Sequence, residues 1–448
     1  MNLITPGTFR WRMVALLFIA TTINYIDRQV LSFTMTDELF RKEMLGLSPT
    51  DILTQERIDQ FRVEYSKVDS AFKFAYAIGL LFMGWLIDRI GTKRGFSLGI
   101  VVWSIAAVGT SVIQTLSGLT FARVALGLGE AANFPAAIKT VSEWFPRRER
   151  SYANGVFNAG TNVGIILTAL FVPHLILNYG WRSSFLVTGL LGFGLLILWW
   201  FTYSKPHRNK HVTPAELAYI QSDAPNEPPL RVSWMRLLSF KQTWAYAIGK
   251  FMADPIWWFY MAWLPDFFNS NDSLDQKLDL KSFGVPFLII YVVSDAGSIF
   301  FGWLSTQLMN SGWSANRARK TTMLICALCV VPIMYASETN SLVIAISLIS
   351  LATAAHQGWS ANMYTFASDL FPKNVTASVT SIGSMFGAVG GILLARYSGD
   401  IINSVGYQPL FIMAGCTYLL ALLLIHLVLP RLEPVSDEEL APDFTLTR

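Results

Sequence analysis

Apolar positions along this chain come in long, nearly uninterrupted runs, without the alternating pattern of half-buried strands. Met13–Ile23, Gly95–Val112, Ser184–Phe201, Leu342–Ala355 and Leu410–Leu429 contain no Asp, Glu, Lys or Arg. Several approach or exceed the roughly 20 residues that a helix needs to cross a bilayer core. Followed to their flanking charges, glycines and prolines, the runs predict twelve spans. These lie at 11–34, 66–87, 95–115, 118–142, 152–177, 184–203, 241–268, 283–308, 321–337, 341–367, 377–403 and 409–430. The implied fold class is an all-α membrane protein with twelve transmembrane helices.

Composition strengthens this reading. Charged residues make up 14% of the 448 and hydrophobic ones 53%, against about 25% charged in soluble domains. Too little polar surface remains to cover a soluble globule. Arg10 and Arg12 precede the first run as they would in a signal peptide. The run lacks a small-residue cleavage site and leads straight into Asp27-Arg28, so it reads as the first span. Cys326, Cys329 and Cys416 all fall in apolar runs, and the Cys326–Cys329 spacing has no second ligand pair nearby. Buried packing is therefore expected for them, with no metal and no cofactor.

Charge in the loops sets the orientation. Arg10 and Arg12, then Arg89, Lys93 and Arg94, then Arg147, Arg148 and Arg150 flank alternate spans, followed by the base-rich 204–240 connection and by Arg317, Arg319 and Lys320. The intervening loops are poor in base, with only Arg182 in the 5–6 loop. Positive loops stay in the cytoplasm, which places both termini there. The expected organisation is a first six-helix half at 1–203, a linker at 204–240, a second half at 241–430 and a cytoplasmic tail at 431–448. The outside stretch 35–65 is dense in mixed charge and predicts a short solvated helix or two without a ligand role.

The halves echo one another. Glu143-Trp-Phe-Pro146 returns as Asp369-Leu-Phe-Pro372, 226 positions on, and the same offset takes Ser142 to Ser368, Val163 to Val389 and Gly164 to Gly390. A parallel repeat of six-helix halves predicts a substrate site near the bilayer midplane.

Charges inside the spans need a reason, because each costs at least about 2.5–3.5 kcal/mol at the bilayer centre. Span 1 holds Asp27-Arg28, and span 4 holds Arg123 and Glu130, two turns apart and so on one face. The economical arrangement pairs Asp27 with Arg123, leaves Arg28 for an anionic substrate and lets Glu130 titrate on the same wall. A purely structural network is the alternative. The repeat offset carries Glu130 to His356, in His356-Gln357-Gly358-Trp359. There Trp359 offers a platform for a sugar's C–H face, although a packing tryptophan and a satisfied histidine are the plainer readings. Lys73 and Tyr76 share a face of span 2, Asn158 and Asn162 lie one turn apart on span 5, and Lys250 with Asp254-Pro255 marks span 7, where Pro255 is expected to break the helix. Asp295 and Arg396 are weaker candidates.

The stretch Gly84-Trp-Leu-Ile-Asp88-Arg89-Ile-Gly91-Thr-Lys93-Arg94 resembles the signature loop of the major facilitator superfamily. In it Asp88, Arg89 and Arg94 are gating candidates, through capping and ion pairing when the inner gate closes. The resemblance implies the major facilitator fold of two pseudo-symmetric halves. Asn24-Tyr-Ile-Asp-Arg28, with Arg123-Val-Ala-Leu-Gly-Leu-Gly-Glu-Ala-Ala-Asn-Phe-Pro135, resembles the anion:cation symporter family within it, over nearly the whole chain. That resemblance implies that Asp27 and Glu130 carry the coupling protons, that Arg123 governs them and that Arg28 holds the substrate carboxylate. It also implies that Tyr25 and Tyr76 touch substrate. Gly249-Lys-Phe-Met-Ala-Asp-Pro-Ile-Trp-Trp-Phe-Tyr260 and Ala355-His-Gln-Gly-Trp-Ser-Ala-Asn362 look most like hexuronate transporters.

The expected function is then proton-coupled import of a sugar acid, glucuronate or galacturonate, by alternating access. The protein would be a monomer in a bacterial inner membrane, with no nucleic-acid partner. A hexuronate asks for one or two cations, neutral amides and an aromatic platform, and Arg28, Lys73, Asn158, Asn162, Gln357 and Trp359 supply them. An aldonate, aldarate or aromatic acid remains an alternative, with Lys250 or Arg396 as the second base that a dicarboxylate needs. A non-transporting anion sensor would suit the fold but lacks a signalling domain, and a multidrug exporter would not need Arg28. No nucleophile–base constellation points to an enzyme.

Overall fold

The computed structural model describes residues 8–222, 234–271, 273–371, 373–435 and 437–440. Helices follow one another as α1 (Phe9–Thr34), α2 (Glu38–Met44), α3 (Gln55–Ile90), α4 (Thr92–Thr110), α5 (Leu116–Glu130), α6 (Asn133–Trp144), α7 (Arg147–Asn158), α8 (Gly160–Tyr179) and α9 (Trp181–Thr202). Then come α10 (Pro214–Ile220), α11 (Trp234–Leu237), α12 (Lys241–Ser270), α13 (Gly284–Asn310), α14 (Ala315–Val330), α15 (Leu342–Leu370), α16 (Lys373–Val405), α17 (Gln408–Val428) and α18 (Asp437–Leu440). No strand occurs among the described residues. The chain divides into two compact units, Met1–Glu227 with Asp279–Gly284 and Pro228–Leu278 with Val285–Arg448.

Twelve crossings result, six per unit. In the first unit α1, α3, α4, α5 with α6, α7 with α8, and α9 cross; in the second, α12 to α17 do. Among the described residues, nine stretches are long and apolar enough to cross by that measure alone. The other three are α4, α5 with α6, and α12. Their sequences explain the shortfall: α4 opens on Thr92-Lys93-Arg94, α5–α6 contains Arg123, Glu130 and Lys139, and α12 contains Lys241, Lys250, Asp254 and Asp266. Large apolar side chains face outward all along the helices, with Phe121 at 76% exposed and Ile299 at 75%. Such a surface suits hydrocarbon rather than water.

Small residues let the helices approach closely, as they must where lipid removes the hydrophobic drive between helices. A Cβ on Gly164 of α8 would lie 2.5 Å from the Thr22 carbonyl oxygen of α1. A Cβ on the repeat-related Gly390 of α16 would lie 2.5 Å from the Phe251 carbonyl oxygen of α12. The sequence repeat is therefore also a packing repeat, with span 5 seated on span 1 and span 11 on span 7. Gly164→Val and Gly390→Val are expected to cost about 1–3 kcal/mol or more, since backbone cannot yield as a side chain can. Gly109→Ala, where a Cβ meets nothing within 4 Å, is the matched control. Melting of the detergent-purified protein reads the difference.

Two local expectations change. The first third of the 35–65 stretch is packed rather than solvated, with Phe40, Arg41, Lys42 and Met44 of α2 buried, while most of 45–60 is exposed as expected. Phe40 meets Phe61 and Trp181 edge-on, and Glu43 accepts from Trp181 and Arg182. Asp37 caps α2 through the Phe40 N–H at 2.8 Å, while burial pushes its carboxyl above the ordinary range. Phe40 and Met44 sit one turn apart, so the helix has an apolar face to bury. The second half of the stretch is no separate helix but the start of α3. At 36 residues, α3 is about 54 Å long and outreaches a hydrocarbon core of about 30 Å. Pro255 does not break its helix either, because α12 runs unbroken through both Pro255 and Pro265. Part of the predicted linker, 223–233, lies outside the described residues.

Candidate functional site

In the first unit, α1, α3 and α5 gather three acids and three bases. The Nε of Arg28 donates to an oxygen of Glu130 at 2.9 Å, and Glu130 is fully buried. Three rings surround that guanidinium: Tyr76 at 4.5 Å, Tyr25 at 4.7 Å and Phe72 at 5.5 Å. Arg123 lies 4.6 Å from the Phe72 ring centre and donates to the Arg28 carbonyl at 3.2 Å. One turn apart on α3, Lys73 and Asp69 pair at 2.5 Å. Neither oxygen of Asp27 has a hydrogen-bond partner; Thr188 of α9, Glu130 and Arg123 are its polar neighbours.

This differs from the expected pairing of Asp27 with Arg123 and a free Arg28. Arg28 is the residue with an acid partner, and that partner is Glu130. Adjacent residues leave a helix about 100° apart. Arg28 therefore turns toward α3 and α5, while Asp27 turns toward α9 and does not reach the Arg123 fork. Glu130 is the last residue of α5, where the crossing turns at Ala131 before α6. Close approach of Gly129 to Trp103 of α4 and of Gly127 to Phe72 of α3 fixes that end. Buried polar atoms are normally satisfied. Here both Asp27 oxygens, one Glu130 oxygen, one terminal nitrogen of Arg28 and two nitrogens of Arg123 have no hydrogen-bond partner. Such a set offers an incoming ligand both donors and acceptors. Asn162 is buried on α8 near the α1 contact, whereas Asn158 at the end of α7 is exposed.

In the second unit, Lys250 and Asp254 pair at 2.8 Å along α12, and the Lys250 ammonium lies 4.9 Å over the Tyr364 ring. His356 stacks on Trp257 at 4.9 Å, and its Nδ1 is 2.6 Å from the Tyr418 hydroxyl. Trp359 is buried edge-on to Tyr418, with no hydrogen-bond partner on its indole N–H, and Gln357 is half-buried. Lys250→Met alone is expected to destabilise by about 3–5 kcal/mol, because it leaves Asp254 without its partner, while Lys250→Met with Asp254→Asn recovers most of the loss. Thermal unfolding of the three variants checks this.

The gating candidates are less connected. Arg89 is exposed with its guanidinium 5.2 Å over the Trp85 ring, and Arg94 is exposed. The Asp88 side chain lies outside those described. The acids of the repeated motif are better tied. Glu143 accepts from Thr92 at 3.0 Å and from the Tyr203 hydroxyl, joining the ends of α4, α6 and α9. Asp369 accepts from Arg319 at 3.1 Å, and Arg319 also donates to Ser305 at 3.1 Å, joining α15, α14 and α13.

Sequence reasoning missed Asp69, Phe72, Thr188 and Tyr418. Only Asp69 left a signal, its four-residue spacing from Lys73. Among the described residues no cluster of His, Cys, Asp and Glu could hold a metal ion.

Comparison with known proteins fits this architecture. The family model of the Major Facilitator Superfamily matches residues 17–395. The Hexuronate transporter of Escherichia coli (strain K12) is 30% identical over 427 residues, covering 94% of each chain. The Galacturonate transporter of Dickeya chrysanthemi is 31% identical over 66% of this chain and 81% of its own. The Probable galactarate/D-glucarate transporter GudP of Bacillus subtilis (strain 168) is 28% identical over 99% and 98%. Among solved structures, a bacterial homolog of the human lysosomal transporter Spinster superposes with a TM-score of 0.67 at 16% identity, covering 94% of this chain and 96% of that one. That likeness speaks for the fold. The protein is thus a multi-pass membrane transporter rather than an enzyme, and it belongs to the Major Facilitator Superfamily.

Proposed function

We propose that this chain is a proton-coupled symporter that imports a sugar acid, a hexuronate such as glucuronate or galacturonate, by alternating access. The observation that carries the reading is the Arg28–Glu130 pair at 2.9 Å beneath three aromatic rings. A guanidinium already holding a buried carboxylate is built to hold another one. A proton on Glu130 dissolves the pair and leaves Arg28 to the substrate, so proton and anion favour each other's binding. Asp27, bare and near Arg123, takes a second proton in the same cluster. Tyr25 and Tyr76 shape the Arg28 end of the site, and Arg123 sets the affinity of both acids for protons. Asn158, Asn162, His356, Gln357 and Trp359 serve the hydroxyls and the ring of the sugar, and Asp88, Arg89 and Arg94 serve the gate. The names of the E. coli and D. chrysanthemi relatives support the substrate class.

Two protons with one monoanion carry one net positive charge inward, so an inside-negative potential assists by about 2.3 kcal/mol per 100 mV. The protein works as a monomer in a bacterial inner membrane with both termini cytoplasmic. Counterflow across a panel of labelled acids tests the substrate. Exchange of glucuronate or galacturonate ahead of gluconate and benzoate supports the reading. Exchange of gluconate or benzoate with neither hexuronate overturns it.

A further inference from the structure

A hexuronate is expected from the sequence to draw on Lys73 as a second cation, but Lys73 is paired with Asp69 and a monoanion needs only one. Arg28 suffices for one carboxylate, and Glu130 and Asp27 suffice for two protons. Yet both members of the pair are buried, at 7% and 5% exposed, inside a crossing where each charge is costly. A salt bridge buried this way adds little stability of its own. Its placement is informative. Lys73 stands three residues from Tyr76, whose ring carries Arg28 at 4.5 Å, which is about 4.5 Å along the helix axis. Arg28 and Arg123 both lie against the ring of Phe72, the residue before Lys73, at 5.5 Å and 4.6 Å. On its own helix the pair has Tyr65 and Tyr76 one turn to either side, and the charged groups nearest it on other elements are Arg123 of α5 and Arg28 of α1, with Glu130, Tyr25 and Asp27 beyond them around those two arginines. Arg62, paired with Asp59, is two turns away on α3. The chargeable side chains of α4 and α6 lie at the other end: Lys139 bonds the Ile87 carbonyl, 18 residues from Asp69 and so about 27 Å away.

Counted with every group ionised the cluster balances, Asp27, Asp69 and Glu130 against Arg28, Lys73 and Arg123. A proton on Glu130 releases Arg28 from its pair and a proton on Asp69 releases Lys73 from its own, and each base so released fits one substrate carboxylate. We propose that Asp69 and Lys73 form a second proton-and-carboxylate station, at which a proton on Asp69 frees Lys73 for the far carboxylate of a sugar diacid. A dianion then enters with one proton more than a monoanion. This rests on the symporter reading above and extends it from monoacids to diacids. The proton moves from water to an Asp69 oxygen, no covalent bond to substrate forms, and the proton leaves with the diacid on the other side.

Reversal potentials in proteoliposomes give protons per substrate for D-glucuronate and D-glucarate. The wild type is expected to take one more proton with glucarate than with glucuronate, and in Asp69→Asn that difference disappears. In Lys73→Gln the ratio of glucarate to glucuronate uptake falls roughly tenfold or more. The paired neutral variant Asp69→Asn/Lys73→Gln leaves no lone buried charge, so it guards against misfolding, and its ratio is low as well. Equal proton counts in the wild type overturn the proposal. So does a difference that survives Asp69→Asn, or a Lys73→Gln ratio equal to the wild type's. Glucuronate uptake without glucarate uptake overturns it while leaving the symporter standing. Uptake of neither acid overturns the symporter reading, and this proposal with it.

Discussion

Arg28→Ala removes substrate binding while leaving a folded, membrane-inserted protein. The fully desolvated contact between a guanidinium and a carboxylate is worth about 2–5 kcal/mol when one partner is truncated, so affinity for glucuronate is expected to fall about 30- to 3,000-fold. Leaving Glu130 without its base costs stability as Lys250→Met does, and Glu130 limits that cost by taking a proton. Arg28→Lys does not restore binding. A planar fork can divide its donors between Glu130 and a substrate, whereas an ammonium on a flexible stem presents a point charge. The ring cage of Tyr25, Phe72 and Tyr76 is also better matched to a flat cation. Equilibrium binding on purified protein measures both variants, and wild-type affinity in Arg28→Ala contradicts the assignment.

Glu130→Gln has the second large effect, and it splits two activities. The amide mimics the protonated acid, so Arg28 is permanently released and substrate exchange across the membrane continues. Uphill accumulation driven by a proton gradient is lost, because the group that made anion binding depend on a proton is gone. Asp27→Asn is expected to show the same split, since Asp27 stands in the same cluster without a hydrogen-bond partner. The sign of the pH dependence follows from the ion pair. In the wild type, substrate binds more tightly as falling pH protonates Glu130, and in Glu130→Gln that dependence flattens. Counterflow and gradient-driven uptake, run side by side from pH 5.5 to pH 8, separate the two activities. Loss of both together in Glu130→Gln points to a structural role only.

The spans were legible because a bilayer demands about 20 apolar residues per helix, a signal that survives without tertiary information. The reading 11–34 became Phe9–Thr34, and 409–430 became Gln408–Val428. The repeat was legible for a related reason: Gly164 and Gly390 permit the same close helix approach. Which acid meets which base was not legible. Span membership placed Asp27, Arg28, Arg123 and Glu130 in one region, but the choice of Glu130 over Asp27 depends on the rotation of α1 against α5. Gly127 and Gly129 seat α5 on α3 and α4, and Gly160 and Gly164 seat α8 on α1, contacts that residue spacing alone does not give. Asp69 was passed over because a four-residue Asp–Lys spacing is common on solvated helices, and only its burial makes it unusual. The start of the 35–65 stretch misled in the opposite direction. Its charges suggested solvent, while Phe40 and Met44 formed the face that packs.

The central claim is that proton movement through this cluster drives uptake of a sugar acid. Its most direct test is uptake of labelled glucuronate and galacturonate into proteoliposomes, with and without an inward proton gradient. The account predicts accumulation above equilibrium only with the gradient, absent in Arg28→Ala and replaced by simple equilibration in Glu130→Gln. Uptake that ignores the gradient and is unchanged in both variants contradicts it.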